Sequence, residues 1–264
     1  MRAVGVHADV VVVTSQFWQT TCTVVRSGGE AFVIDSPVLP AELEALPALV
    51  ERAGFAVAGL LATHGDWDHL LGRLAFPEAA VGVAETTAAR LAAEPGAAQR
   101  ELRAFDEEHY VEREHPLSLG QVQALPVPGH CGIGDRELEL HPTDGHTPDG
   151  MAVWAPWTKC LVVGDYLSPV EVPMLSPGGS LGAYLATLAR LRPLVEAADT
   201  VVPGHGAPLE RQRALAVLEE DVAYLGELGE HGADAPLPPG RDTGEQRRIH
   251  GENAAALGVR GSKG

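Results

Sequence analysis

The sequence predicts a single domain of the α/β class, in which two sheets pack face to face with helices on their outer sides. Short apolar segments typical of strands alternate with segments typical of helices, and this alternation occurs in both halves of the chain. Hydrophobic residues make up 45% of the 264 residues, which is enough to fill a sizeable core. Side chains suited to one shared site run from His64 to His205, so both halves have to meet in one fold.

The first half carries the signals of an opening hairpin followed by alternating helices and strands. Gly28-Gly29 separates two apolar runs and predicts a tight turn. The first helix is predicted because Leu43, Leu46, Leu49 and Val50 fall on one face. The predicted elements are strands at residues 10–13, 21–25 and 31–34, a helix at 41–53, strands at 59–62 and 79–83, and a helix at 85–93.

The second half repeats this scheme and ends in a short tail. Its predicted elements are strands at residues 137–141, 151–154 and 161–163, a helix at 181–191, a strand at 200–202 and a helix at 209–228. We expect residues 1–231 to form the domain. Residues 232–264 are predicted to add a Gly- and Pro-rich linker and a helix at 247–257 that packs on the same domain, with residues 258–264 frayed.

Residues 94–134, between the halves, are less regular and leave two interpretations open. The charged stretch at residues 100–110 is typical of a solvated helix face. A segment of this length is also typical of a lid, and the part around His130 would then border the site and contact the substrate.

Charge and cysteine content restrict the class of partner. The formal net charge of −17 repels phosphate backbones, so we expect a small-molecule substrate and no nucleic acid. The cysteines, Cys22, Cys131 and Cys160, are widely spaced, which is typical of reduced thiols. Since the first residues lack an export signal and no apolar span is long enough for a membrane, we expect a cytoplasmic protein. The oligomeric state stays open.

The most informative segment is Thr-His-Gly-Asp-Trp-Asp-His at residues 63–69, which follows an apolar run. Without a cation, crowding its imidazoles and carboxylates together would be costly in repulsion and desolvation. His64, Asp66 and Asp68 would converge on one point only if the backbone coils around it. The alternative is a solvated polar turn, with Asp66 or Asp68 capping a following helix.

Three later segments also place a metal-capable residue near the end of an apolar strand. These residues are His146, Asp165 and His205, and each has a glycine beside it that permits a sharp turn. A single Gly-His pair is weak evidence, as Gly129-His130 illustrates. The ordered series is what predicts a metal site.

The ordered series resembles the metallo-β-lactamase superfamily, whose pattern is H-x-H-x-D-H followed by a Gly-His, a strand-ending Gly-Asp and a final Gly-His. Residues 23–35 are similar to the family's opening hairpin, which ends in a buried aspartate beneath the metal loop, here Asp35. The resemblance implies a four-layer αββα sandwich with the ligand-bearing loops at one edge. This sequence departs from the pattern at Asp66, where the family usually has its second histidine.

The resemblance also implies a ligand set for one or two divalent metal ions. It places His64, Asp66 and His146 on one metal, Asp68, His69 and His205 on the other, and Asp165 between both. The third carboxylate lowers the positive charge of the centre by one unit and favours harder ions. We expect zinc, with iron or manganese as alternatives.

The implied activity is hydrolysis of an ester, thioester, lactone or similar carbonyl. A metal-bound water would serve as nucleophile, with Asp68 as the catalytic residue that orients it or receives its proton. Tyr166, directly after Asp165, is a candidate substrate contact or a core residue. Hydroxyacylglutathione hydrolase is near in its ligand series, but Arg247 and Arg248 are the only candidates for a basic cluster. The alternatives are iron-dependent oxygen or sulfur chemistry, as in persulfide dioxygenases, and a non-catalytic metal-binding protein.

Overall fold

The computed structural model describes residues 1–258, in which strands and helices alternate. The strands are β1 (Arg2–His7), β2 (Val10–Thr14), β3 (Thr21–Ser27), β4 (Glu30–Asp35), β5 (Val57–Leu61), β6 (Val81–Ala84), β7 (Gln123–Leu125), β8 (Gly129–Ile133), β9 (Arg136–Pro142), β10 (Met151–Ala155), β11 (Cys160–Val162), β12 (Thr200–Val202) and β13 (Leu209–Glu210). The helices are α1 (Pro40–Arg52), α2 (Gly72–Ala75), α3 (Glu85–Ala93), α4 (Ala97–His109), α5 (Leu181–Ala197), α6 (Arg211–His231) and α7 (Gly244–Leu257).

The strands form two sheets. The first has the order β1-β2-β3-β4-β5-β6-β7, antiparallel from β1 to β4 and parallel from β4 to β7. The second has the order β13-β12-β11-β10-β9-β8, in which only β11 and β12 are parallel. The parallel pairs place the ends of β4, β5, β11 and β12 where long connections begin, which is where the site lies.

Three apolar clusters fill the spaces between four layers. Alternation along β3 and β4 sends Val24 and Val33 to the outer face of the first sheet, where they share a cluster with α1. Val25 and Ile34 point the other way, toward the second sheet. A third cluster joins the second sheet to α5, α6 and α7. The predicted αββα sandwich is therefore confirmed.

Several elements differ from the sequence-based expectation. Strand β1 was not predicted, because its residues are largely exposed at the sheet edge and carry a weak apolar signal. The segment at 94–134 contains α4, whose buried Leu102 and Phe105 make it a helix with one packed face, followed by β7 and β8. Helix α5 continues past the predicted end through Pro193, and β13 takes the residues predicted to start α6.

The last described helix packs on the second half of the fold. The side chain of Thr243 caps α7 by accepting a hydrogen bond from the backbone N of Gln246. Ile249 and Ala254 are buried in the cluster that contains α5 and α6. Of the segment expected to fray, residues 259–264 lie outside the described part of the chain. Within residues 1–258, no helix is both long and apolar enough to cross a membrane.

Candidate metal centre

The loop after β5 begins on a fixed anchor. Asp35 ends the neighbouring strand β4 and is buried, as expected from the sequence. It accepts hydrogen bonds from the backbone N and the Oγ1 of Thr63, both at 2.8 Å. A 3-10 turn at Trp67–His69 then folds the chain back, so that the ring centroids of His64 and His69 lie 4.3 Å apart. The loop coils around a point, as its spacing requires.

The other side chains enter from the second sheet. His146 lies in the connection between β9 and β10, while Asp165 and His205 follow the parallel neighbours β11 and β12. Gly204 allows the two strand ends to approach, because a Cβ there would lie 2.1 Å from Oδ1 of Asp165. The structure brings together all seven residues expected at the metals.

One group surrounds the metal-facing oxygen of Asp66. Its Oδ2 lies 3.6 Å from Nε2 of His64 and 3.5 Å from Nε2 of His146. Oδ2 of Asp165 closes the group, at 3.7 Å from Nε2 of His64 and 3.3 Å from Nε2 of His146. We call these four side chains the first position.

A second group uses the other oxygen of Asp165. Its Oδ1 lies 3.1 Å from Nε2 of His69 and 3.5 Å from Nε2 of His205. Oδ2 of Asp68 lies 3.6 Å from Nε2 of His69 and 3.4 Å from Nε2 of His205. This is the second position, and Asp165 faces both positions with a different oxygen.

These atoms fit a divalent cation better than they fit one another. Within residues 1–258, Nε2 of His64, His69 and His146 and Oδ1 of Asp165 are buried without a hydrogen-bond partner. A buried polar atom left unpaired costs about 1–3 kcal/mol. Donors that each lie about 2.1 Å from a tetrahedral ion lie about 3.4 Å from each other. The separations here match that spacing, and the mix of imidazole and carboxylate suits zinc or iron.

The opposite ring nitrogens are held by fixed acceptors. Nδ1 of His69 lies 3.0 Å from Oδ2 of Asp35. Nδ1 of His146 lies 2.8 Å from the carbonyl O of Met174, and Nδ1 of His205 lies 3.1 Å from the carbonyl O of Trp18. A proton on each Nδ1 leaves the Nε2 lone pair free to face a metal.

Without a cation, the charges of the cluster perturb one another strongly. Burial would lower the pKa of His69, His146 and His205, but the carboxylates raise it well above its usual range, to about 10 for His205. Burial would raise the pKa of Asp66 and Asp165, yet the histidines hold both well below their usual range. Without a metal, protons on these histidines therefore supply the positive charge that balances the carboxylates.

The variant residue Asp66 has a partner that the sequence did not reveal. Its Oδ1 lies 2.8 Å from Nη2 of Arg90 on α3. Nη1 of Arg90 donates to Oδ1 of Asp149 at 2.9 Å, and Oδ2 of Asp149 accepts from the backbone N of Gly65 at 2.9 Å. Gly65, between two metal-capable residues, was the sequence signal for this contact, because a Cβ there would lie 3.2 Å from Oδ2 of Asp149 and 3.4 Å from Nη1 of Arg90.

The loop at residues 168–175 lines the opposite side and is held by the tail. Arg241 donates to the carbonyl O of Ser168 and of Glu171 at 3.1 and 2.9 Å. Oε1 of Gln246 accepts from the backbone N of Val172 at 2.7 Å. Asn253 accepts from the N of Leu175 at 2.8 Å and donates to the O of Pro173 at 2.7 Å. The loop places Oε1 of Glu171, which sequence reasoning missed, 3.8 Å from Nδ1 of His205.

The two expected substrate contacts need correction. Tyr166 is buried, and its hydroxyl is engaged by the backbone N of His146 at 3.0 Å and the carbonyl O of Asp144 at 2.9 Å. It supports the connection that carries His146 and does not face a substrate. His130 is exposed on the edge strand β8, opposite Glu139 and outside the cluster in the described part of the chain.

Helix α4 borders the metal loop through aromatic contacts. Phe105 packs against Trp67 with ring centroids 4.7 Å apart, and Trp18 lies 5.7 Å from Trp67. Trp18 is 39% exposed. Its backbone carbonyl lies 3.1 Å from Nδ1 of His205, while its ring packs against Trp67.

Comparison with known proteins identifies the same arrangement of elements elsewhere. A family model described as the metallo-beta-lactamase superfamily matches residues 15–205, which contain all seven clustered side chains. No curated protein matches the chain. A metallo-beta-lactamase family protein from Thermus thermophilus shares 21% identity with a TM-score of 0.68, covering 96% of this chain and 93% of its own.

Two further structures are similar over a smaller part of the chain. The metallo-beta-lactamase from Pontibacter korlensis shares 19% identity with a TM-score of 0.59, covering 83% of this chain and 98% of its own. The DIM-1 metallo-beta-lactamase shares 20% identity with a TM-score of 0.60, covering 85% of this chain and 96% of its own. At these identities the likeness establishes the fold.

Proposed function

Since the chain belongs to the metallo-beta-lactamase superfamily, we propose that it is a metal-dependent hydrolase acting on an ester, thioester, lactone or similar carbonyl. The observation that carries the proposal is the placement of Asp165, whose two oxygens face two separate groups of side chains. A carboxylate in that place supports two metal ions side by side. Paired divalent cations polarise a substrate carbonyl and lower the pKa of bound water.

The exposure of the cluster supports access from one side. The imidazoles are almost fully buried, whereas the side chains of Asp66 and Asp165 are 23% and 15% exposed. Asp68 is 10% exposed, less than either of these carboxylates, and lies beside His69 and His205. This position supports Asp68 as the residue that would orient an attacking water or receive its proton.

The surroundings favour a substrate with an apolar group and little negative charge. Trp18 offers a partly exposed aromatic ring that packs against Trp67, the residue before Asp68. Glu171 adds a carboxylate on the other side. The arginines considered for glutathione carboxylates are occupied, since Arg247 pairs with Asp242 and Arg248 with two glutamates of α7. A glutathione thioester is accordingly a less favoured substrate.

Metal content and turnover of the purified protein test the proposal together. Protein prepared without added metal is analysed for bound elements and then assayed against panels of uncharged esters, thioesters and lactones. We expect up to two zinc ions and hydrolysis that a chelator abolishes and zinc restores. His146→Ala should abolish turnover, while His115→Ala, an exposed control, should not change it.

The alternatives give different results in the same measurements. A carboxylate at Asp66 also suits iron, so a single bound iron with consumption of oxygen would favour oxygen or sulfur chemistry. Tight metal binding without turnover of any panel would favour a non-catalytic protein. The bridging placement of Asp165 supports the two-metal hydrolase over both.

A further inference from the structure

We propose that Arg90 is a positioning residue for the metal centre, which makes Asp66 a workable replacement for a histidine ligand. The proposal rests on the proposed function, because it assigns a role at the same site. Within residues 1–258, helix α3 supplies none of the clustered histidines and aspartates, and Arg90 contacts the cluster through Asp66. The role of Arg90 therefore depends on its contacts with Asp66 and Asp149.

The contacts of Asp66 separate the roles of its two oxygens. A carboxylate can present either oxygen, or both, to a cation, whereas an imidazole presents one nitrogen. At Asp66 the two oxygens are already divided, since Oδ1 lies 2.8 Å from Nη2 of Arg90 while Oδ2 faces His64 and His146. The guanidinium thus leaves Asp66 a single free oxygen, as an imidazole would.

The positive charge of Arg90 acts on the same carboxylate. An aspartate in place of a histidine removes one unit of positive charge from the centre. The guanidinium of Arg90 brings one positive charge to the carboxylate of Asp66 and shares it with the buried carboxylate of Asp149. The negative charge that Asp66 adds to the centre is therefore offset in part.

Arg90 is itself held in a fixed position. Its Nη1 donates to Asp149, whose side chain is 1% exposed and which also accepts from the backbone N of Gly65. The guanidinium is therefore tied to the loop that it serves, and Gly65 leaves room for it to pass. Such support of metal ligands by outer residues typically contributes about 10- to 100-fold in metal affinity.

The test is a double-mutant cycle on zinc affinity. The two stepwise zinc dissociation constants are measured by competition with a chromophoric chelator for the wild type, Arg90→Gln, Asp66→His and the double variant. We expect Arg90→Gln to weaken zinc binding at the first position by about 10- to 100-fold in the Asp66 chain. In the Asp66→His chain, where there is no carboxylate to hold, we expect little change.

Controls separate the role of Arg90 from loss of fold or of net charge. Arg103→Gln, an exposed arginine on α4, removes the same charge and should leave both constants unchanged. Arg90→Lys keeps the charge and should give an intermediate loss, again only in the Asp66 chain. Equal losses in both chains, or no loss in either, would overturn the role of Arg90. A wild type that binds no zinc would defeat the proposed function as well.

Discussion

Asp35, at the end of β4, and His69, in the 3-10 turn that follows β5, face each other, with Oδ2 of the aspartate 3.0 Å from Nδ1 of the imidazole. The side chain of His69 is 0% exposed and that of Asp35 is 1% exposed. Asp35 has a positive φ of 58°, a conformation that few non-glycine residues adopt. This conformation at the end of β4 turns the carboxylate of Asp35 toward the ring of His69.

Replacing this carboxylate should weaken the second position. In Asp35→Asn one oxygen becomes an NH2 group, so the side chain can no longer accept all three hydrogen bonds, from N and Oγ1 of Thr63 and from Nδ1 of His69, and it loses its negative charge. We expect zinc affinity at the second position to fall about 10- to 100-fold. Chelator competition measures it. Asp135→Asn, an exposed aspartate with the same charge change, should have no effect, and a loss equal to that of Asp35→Asn would contradict the role of Asp35.

Gly204 should be irreplaceable for a steric reason. A Cβ at this position would lie 2.1 Å from Oδ1 of Asp165 and 3.0 Å from Cε1 of His69, so Gly204→Ala has to displace the carboxylate of Asp165. We expect less than one equivalent of zinc after purification, measured by elemental analysis. Gly226→Ala is the control, since nothing lies near its Cβ and alanine favours the helix by up to about 1 kcal/mol. Full zinc content in Gly204→Ala would show that the carboxylate does not bridge.

Metal uptake should release protons and become tighter as pH rises. In the metal-free protein the pKa of His205 is raised to about 10, and those of His69 and His146 are also raised, so these rings hold protons at neutral pH. A metal has to displace them. Calorimetry in buffers of different ionisation enthalpy should therefore detect net proton release at pH 7. Zinc affinity independent of pH between 6 and 9 would contradict this assignment.

The same shifts predict how stability of the metal-free protein depends on pH. Because the folded pKa of His205 is above its usual value of 6.5, its contribution is complete below 6.5 and is lost as pH rises toward about 10. Asp66 and Asp165 have lowered pKa values, so their contributions are complete above 3.8 and are lost in more acidic solution. Thermal melts should show a maximum between these limits, and zinc should extend it toward alkaline pH. A metal-free protein that gains stability from pH 7 to 10 would contradict the prediction.

Asn253 should be important for stability although it lies far along the chain from the cluster. It is fully buried, and Asn253→Ala would leave the backbone N of Leu175 and the O of Pro173 without partners. Each such group costs about 1–3 kcal/mol, so we expect a lower free energy of unfolding by a few kcal/mol in denaturant titrations. Zinc affinity should also fall, because Met174 between them holds His146. Glu252→Ala, on the exposed face of α7, should change neither quantity. An Asn253→Ala variant as stable as the wild type would show that Asn253 does not stabilise the loop at residues 168–175.

The parts of the fold that sequence alone predicted share a local signal. Short apolar runs specified β2, β3 and β4, and the dense polar run at 63–69 specified the coiled loop. Strand β1 escaped prediction because an edge strand buries few side chains and leaves little pattern. Helix α4 was only one of two interpretations, since its charged face hid the spacing of Leu102 and Phe105.

The residues of the candidate site also fall into those that the sequence could predict and those that it could not. Histidines and aspartates beside strand-end glycines could be found along the chain, and the structure brings all seven together. Arg90 and Glu171 could not, because their roles come from contacts across the fold and not from neighbours in sequence. The sequence left Tyr166 as either a substrate contact or a core residue, and the structure supports the second, since the side chain is buried and its hydroxyl donates to the carbonyl O of Asp144.

The hydrogen bonds that hold residues 168–175 reach beyond the stretch that matches the family model. The stretch recognisable as the family ends at His205, yet Arg241, Gln246 and Asn253 complete the hydrogen bonds of a loop inside that stretch. A chain shortened to residues 15–205 would retain all seven clustered side chains. It would lose the hydrogen bonds that hold the loop carrying Met174, whose carbonyl O lies against Nδ1 of His146. Transplanting this centre onto another scaffold, or trimming it for engineering, would thus require α7 to be carried along.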